Sequence, residues 1–252
     1  MSDLIATAAR FSGRVRDYAR YRPSYPPEAI DAILDGLGDV SALTVVDVGA
    51  GTGISSRLFA ERGANVIAIE PNPEMREVAH AQNLDARDGT AEASGLPDAC
   101  ADVVAAFQAF HWFAHERAVA EFVRLLRPGG RVALVWNVRD TGHACTREYG
   151  QIADLDSSAA QRAGQVSDDE DLGSLLQGAG LRNVRTLDFQ NAQRLTLDAL
   201  LGRARSASYV PQDGPEYDAI AAALTDLHQR SSDAESCVSL VYRTAVHLAE
   251  RP

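Results

Sequence analysis

Two acids and three glycines in the stretch VVDVGAGTGISSRLFAERGANVIAIEPN could act together: Asp47, Gly49, Gly51, Gly53 and Glu70. A glycine-rich turn between an apolar run and a helix can cradle a nucleotide, because backbone N–H groups and a helix N-terminus are brought up to the ligand. The dinucleotide pattern G-x-G-x-x-G is not the one written here. The spacing is Gly49-x-Gly51-x-Gly53, and Ile54 stands where the third glycine of that pattern belongs. The phosphate loop GxxxxGK[ST] is absent as well, so there is no lysine to reach a triphosphate. Asp47, two residues before the first glycine, would repel a pyrophosphate; its carboxylate suits a ligand that carries an ammonium and a sulfonium.

The elements that must position these residues follow from hydrophobic spacing. TVVDVG (44–49) reads as a short buried strand, ISSRLFAERG (54–63) as a helix through Ile54, Leu58 and Phe59, and NVIAIE (65–70) as a second strand. NPEMREVAHAQ is a helix entered at Asn72 with Pro73 in its first position. A weak strand over 86–89, the strand ADVVAAF, a helix over 114–126, the turn RPGG and the strand RVALVWN continue the alternation. Strands separated by single helices imply a mostly parallel sheet covered on both faces, with ligands at the carboxyl ends of the strands. Beyond Asn137 the rhythm loosens: a helix over 168–178, a strand LRNVRTLDF, a mainly helical stretch over 196–231 broken by YVPQDGP, and SCVSLVYRTAVHL as a closing strand passing into a helix. The acids Asp168 to Asp171 read as a solvated helix start favoured by the helix dipole.

Composition narrows the function. With 252 residues, 46% of them hydrophobic, the chain can bury one large core or a core with an appended subdomain. Its 35 acidic side chains against 24 basic ones disfavour nucleic acid as a partner. Cys100, Cys145 and Cys237 form no CxxC pair and fit a reducing compartment. No run approaches the roughly 20 apolar residues of a membrane span, and the N-terminus lacks a signal peptide's apolar stretch. A cytoplasmic protein without a membrane partner is expected.

DVGAGTG resembles the first motif of the class I methyltransferases that use S-adenosylmethionine, with Glu70 in the acidic position that holds ribose hydroxyls. DGTAEASGLPD (88–98) is similar to their adenine-side loop, ADVVAAFQAFHWF to the fourth strand and its exit, and LRPGGRVALVWN to the turn and fifth strand. YARYRPSYPPEAI, QAFHWF, LGRARSASYVPQ and VSLVYRTAV further resemble a type 11, UbiE-like subgroup that includes trans-aconitate methyltransferase-like proteins. The resemblance implies an α/β Rossmann-like fold: a seven-stranded, mostly parallel sheet with an antiparallel last strand and helices on both faces. It implies N-terminal lid helices over 1–40, and a methyltransferase domain over 41–252 with a mainly helical insertion at about 191–232. The implied reaction is methyl transfer from S-adenosylmethionine to a small molecule, with S-adenosylhomocysteine as product. A non-catalytic S-adenosylmethionine-binding regulator and a methyltransferase for macromolecules stand as alternatives. A nicotinamide-dependent oxidoreductase is disfavoured by Ile54 and Asp47.

Carried over residue by residue, the resemblance sets Asp47, Gly49, Ala50, Gly51 and Gly53 around the methionine part of the cofactor, where any side chain in place of a glycine would block close approach. Glu70 takes the ribose hydroxyls with Asn72 nearby. Thr90 and Ala91 take the adenine side, Thr90 replacing the acid common in such loops. Phe107 and Gln108 flank the methionine, and Tyr18 covers the cofactor from the N-terminal lid. On the acceptor side stand His111, Trp112, Trp136, Asn137, Ser208 and Tyr209, together with Tyr25 and Arg22, whose guanidinium could grip a carboxylate with two parallel hydrogen bonds. His111 is either a proton acceptor or a wall of the pocket. His111 and His115 are four apart, but no third ligand accompanies them, so no metal is expected.

Overall fold

The structure, a computed structural model, describes residues 14–153 and 169–252. Asp168 and the first 13 residues of the expected lid lie outside the described residues, as do the side chains of the acids at 169–171. Seven strands form one sheet in the order β3-β2-β1-β4-β5-β7-β6. β1 (Thr44–Val48) lies parallel to both β2 (Asn65–Ile69) and β4 (Ala101–Phe107), with Asp47 opposite Ala68 on one side and Ala105 on the other. β3 (Asp85–Arg87) and β5 (Leu126–Arg139) extend the parallel run outward. β7 (Val238–Glu250) runs antiparallel to β5: Gly129 N–H donates to Arg251 O and Arg251 N–H to Gly130 O, while Asp140 N–H donates to Val241 O.

The strands are buried because the sheet is covered on both faces, which is why they read as continuous apolar runs rather than alternating ones. On one face Val45, Val103, Phe107, Ala133 and Val246 pack with Ile30 and Ile33 of α2 (Pro27–Leu34) and Phe59 of α3 (Ile54–Ala60). Further along the same face, Ala68 and Ala86, in register with Asp47, pack with Ala79 of α4 (Pro73–Ala81) and with Leu84. Asn72 caps α4 as its sequence position suggests, its Oδ1 accepting from Glu74 N at 2.9 Å and Met75 N at 3.2 Å. α5 (His115–Leu125) follows β4 and buries Val119, Phe122 and Leu125.

Three segments differ from the sequence expectation. RPGG does not interrupt β5, which runs unbroken from Leu126; the four residues form an irregularity, Ala101 pairing with Leu126 and Val103 already with Arg131. β6 (Arg182–Leu195) continues well past Phe189. β7 stays extended to Glu250 where a helix was expected, because nearly every residue from Thr244 to Ala249 is buried, and a short apolar run carries no period to separate strand from helix.

The chain divides into two compact units. The sheet unit comprises residues 25–136, 169–189 and 244–252, including α7 (Asp169–Gly178). The helical unit gathers residues 14–24, 137–153 and 190–243. Its core joins Tyr149 of α6 (Ala144–Ala153), Leu200 and Ala204 of α8 (Leu197–Arg205), Leu224 and Leu227 of α9 (Gly214–Ser231), and Leu240 and Tyr242. α1 (Val15–Tyr21) belongs to it through Tyr21, whose hydroxyl donates to Asp198 at 2.7 Å.

Candidate functional site

In the sheet unit the register of β1, β2 and β4 brings three loop starts to one edge: Gly49, Glu70 and Gln108 each follow directly on a strand. Gly49 N–H donates to Ile69 O at 2.8 Å, tying the glycine loop to the end of β2. Asp47 lies beneath that loop and is wholly buried. Its Oδ2 accepts from the hydroxyls of Ser55 and Ser56, both at 2.6 Å, at the start of α3. Its Oδ1 has no partner. Burial pushes the Asp47 carboxyl up to about 6, the two serine hydroxyls and the Ser56 backbone N–H acting in the opposite direction. A buried carboxylate with one oxygen left without a donor is costly, and a cationic ligand group answers that need.

Glu70 is held from both sides by backbone: Gly51 N–H donates to Oε2 and Asn72 N–H to Oε1, each at 2.9 Å. Burial raises its carboxyl above the ordinary range, while the Asn72 and Gly51 N–H groups and Arg76 pull it back. Each oxygen keeps a second lone pair, enough to accept from a pair of vicinal hydroxyls. Arg76 fixes the same corner, donating to Glu70 O at 2.7 Å and to Asp88 at 2.8 Å. Thr90 is tied into a small closed loop with Ala93, leaving Ala91 buried beside it.

Two of the loop glycines are required by the chain's own packing. A Cβ on Gly49 would come within 2.8 Å of Ala109 Cβ and 2.9 Å of Phe113 Cζ, and one on Gly53 within 2.3 Å of Leu84 Cδ1, both at positive φ. The protein's own side chains already exclude larger residues at these two positions.

At the end of β4, Gln108 takes the left-handed conformation, φ +53°, while its N–H donates to Val135 O at 2.8 Å. Such a backbone is uncommon for a residue with a side chain and concentrates where position matters. Phe107 packs edge-on against Tyr25 (4.7 Å between centroids) and Phe59 (5.7 Å), so Tyr25 lies partly buried against the core of the sheet unit. Trp136 is 1% exposed, and its Nε1–H points to His111 Nδ1 at 3.5 Å. Trp136 also stands edge-on to Phe110 and His247, so its indole N–H is already directed at His111. Trp112 and His111 are half-buried with rings 5.1 Å apart.

The remaining expected residues lie in the helical unit. Asn137 bridges, Nδ2 donating to Ser24 O at 3.1 Å and Oδ1 accepting from Asn191 at 3.1 Å. The Arg22 guanidinium lies 4.8 Å from the centre of the Tyr18 ring, and Ser208 and Tyr209 are half-buried. Among the described residues no group of three or more His, Cys, Asp or Glu could hold a metal, and no helix is long and apolar enough to cross a membrane. The cysteines are free and half-buried. Sequence reasoning missed Ser55 and Ser56, legible as two hydroxyls at the head of the helix after the loop, and Arg76. It also missed Arg203, an arginine inside a helical pattern that gives no signal.

A Rossmann-like sheet with a buried acid under a glycine loop and a second acid closing β2 defines the class I methyltransferase type of nucleotide site. A methyltransferase-domain family model matches residues 46–134. An uncharacterized methyltransferase of Schizosaccharomyces pombe is 32% identical over 193 residues, 75% of each chain. An uncharacterized methyltransferase of Mycobacterium tuberculosis is 46% identical over 148 residues, 58% of this chain; the match spans 59% of the relative's length. The solved structure of the YcgJ protein from Bacillus subtilis shares the fold, with a TM-score of 0.57 at 17% identity over 89% of this chain and 98% of that one. The chain belongs to the S-adenosylmethionine-dependent methyltransferase family.

Proposed function

We propose that this protein transfers a methyl group from S-adenosylmethionine to a small-molecule acceptor by direct in-line displacement. The observation that supports it most is Asp47: a buried carboxylate with one unpartnered oxygen under the glycine loop, suited to the ammonium of the methionine part. Glu70 would receive the ribose hydroxyls through its free lone pairs, Thr90 and Ala91 the adenine, and Phe107 and Gln108 the methionine flank, with Tyr18 of α1 as a lid residue. When bound, the cofactor supplies a methyl group on a sulfonium, whose leaving group needs no protonation.

Residues of this chain then have chiefly to orient the acceptor and exclude water. His111 bears on the acceptor's proton. Trp136 Nε1–H is directed at Nδ1 at 3.5 Å, which favours the neutral tautomer with its proton on Nε2. We therefore read His111 as a donor and wall that Trp136 orients, with Trp112 beside it. An acceptor such as a carboxylate or an already ionised hydroxyl fits a site without a base.

Calorimetry with S-adenosylhomocysteine on the purified protein, followed by transfer of labelled methyl to a panel of carboxylic acids, phenols and amines, tests the reading. We expect S-adenosylhomocysteine to bind, NADH not to, and carboxylic acids to be labelled. No S-adenosylhomocysteine binding overturns the assignment, and binding without transfer to any panel member or to total cell protein and RNA would favour a regulator. A His111→Ala variant should slow all acceptors alike; a loss confined to those that must give up a proton would restore the base.

A further inference from the structure

The arginines of the helical unit are not equally satisfied. Arg205 pairs with Asp17 at 2.9 Å and with the Tyr217 hydroxyl at 2.9 Å. Arg14 donates to the carbonyls of Ala207 and Val210. Arg203 is 7% exposed, yet its one hydrogen bond runs from Nη1 to Ser206 Oγ at 3.5 Å, and its Nε is buried without a partner. A guanidinium has five N–H donors, and among the described residues this one has no carboxylate or carbonyl to take them. Arg22 meets the same serine, Nη2 donating to Ser206 O at 3.0 Å, and its Nε is also buried and unpartnered.

Two cations thus converge on Ser206, and among the described residues no carboxylate pairs with either. The tyrosines around them do not serve as counter-ions: burial pushes the Tyr149 phenol up to about 12, so it is neutral at physiological pH. The Tyr242 hydroxyl lies close to Arg203 and makes no hydrogen bond of normal geometry. Burial and the neighbouring Arg203 both lower the Arg22 guanidinium below its ordinary value. The interaction of helix-end cations with the last carbonyls accounts for an exposed arginine in the final turn of α8. It does not account for a second, unpaired arginine brought in from the loop after α1. An equally buried arginine in the sheet unit, Arg131, shares the unpartnered Nε but differs at its Nη groups, which donate to Ile33 O, Asp35 O and the Glu250 carboxylate.

Burying one unpaired charge costs several kcal/mol, and two adjacent like charges add repulsion. We propose that the helical unit carries a binding site for the oxyanion of a small molecule, a carboxylate or a phosphate, held between the guanidinium groups of Arg22 and Arg203, with the Tyr242 hydroxyl as a further donor. The unmet Nε–H groups are the donors left for it.

Titration calorimetry on the purified protein at constant ionic strength, with sodium chloride as the control, would use citrate and succinate in one arm and inorganic phosphate in the other. We expect at least one arm to show binding above chloride, and Arg22→Gln to weaken it roughly tenfold or more while S-adenosylhomocysteine binding is unchanged. Arg203→Gln should act alike; if it fails to fold, by far-ultraviolet circular dichroism, Arg22→Gln decides. Binding in the first arm only assigns a carboxylate, in the second only a phosphate. No binding in either arm, or binding that Arg22→Gln leaves intact, overturns the site. Failure of the wild type to bind S-adenosylhomocysteine would instead strike the methyl-transfer reading and leave this one standing.

Discussion

Asp47 costs the folded state stability, and the proposed cofactor contact would give that cost a reason. Its folded carboxyl titrates near 6 because it is buried, whereas an unfolded aspartate titrates near about 3.9. A carboxyl raised by folding leaves the folded state unpenalised below the unfolded value; as pH rises from about 4 through about 6, ionisation sets a growing penalty, about 3 kcal/mol at full extent. Asp47→Asn keeps an acceptor for Ser55 and Ser56 and removes the charge. The variant without ligand should therefore match the wild type near pH 4 and become more stable than it by pH 7, in thermal melts taken across that range. The same variant should bind S-adenosylhomocysteine at least about tenfold more weakly, since a charge-assisted contact is lost. A stability difference that does not grow with pH would mean that Asp47 is not the buried, strained acid described.

At the scale of the element, the loop and the helix it opens are one construction. Gly53 caps α3 at φ +84°, and Leu84, from the turn between α4 and β3, fills the space where its side chain would stand. Gly53→Ala should cost about 2–4 kcal/mol in urea unfolding, part from the left-handed backbone and part from the clash. In a Leu84→Ala background the clash disappears, and the same substitution should cost only about 1–2 kcal/mol. Equal costs in both backgrounds would locate the whole requirement in the backbone. The sequence made these elements legible because each announces itself locally: Asn72 and Pro73 mark a helix start, and Gly49, Gly51 and Gly53 mark a strand end. β7 was only half legible, since burial on both faces erased the alternation that identifies a strand.

For the whole molecule, what could be read from the sequence stops where contacts become remote. The sheet unit was visible through repeating strand, turn and helix; the helical unit draws on residues 14–24, 137–153 and 190–243, and no local pattern announces that Arg22 and Arg203 meet on Ser206. The closing of the sheet unit is remote in the same way. Glu250, at the end of β7, accepts from Arg131 of β5 at 3.0 Å, from Arg185 of β6 at 3.0 Å and from Asn183 at 2.8 Å. Arg131 in turn donates to the carbonyls of Ile33 and Asp35 at the end of α2. One carboxylate thus ties β5, β6 and β7 together and, through Arg131, the helix beneath them. The Asn183 side chain, with Arg185 and Arg131, holds the Glu250 carboxyl down at about 2. A carboxyl lowered by folding stabilises the folded state above its unfolded value, near about 4.3, and that contribution is lost as pH falls toward the folded value. Glu250→Gln should lower stability at pH 7 by roughly 1–3 kcal/mol, the range for a hydrogen bond to a charged group, reduced where solvent screens the partly exposed Arg185. The deficit should shrink steadily as unfolding is repeated from pH 5 down to about 2, where the wild-type carboxyl is itself protonated. A deficit that stays constant with pH would show that the substituted amide fails for its shape, and that the charge of Glu250 is not what closes the sheet.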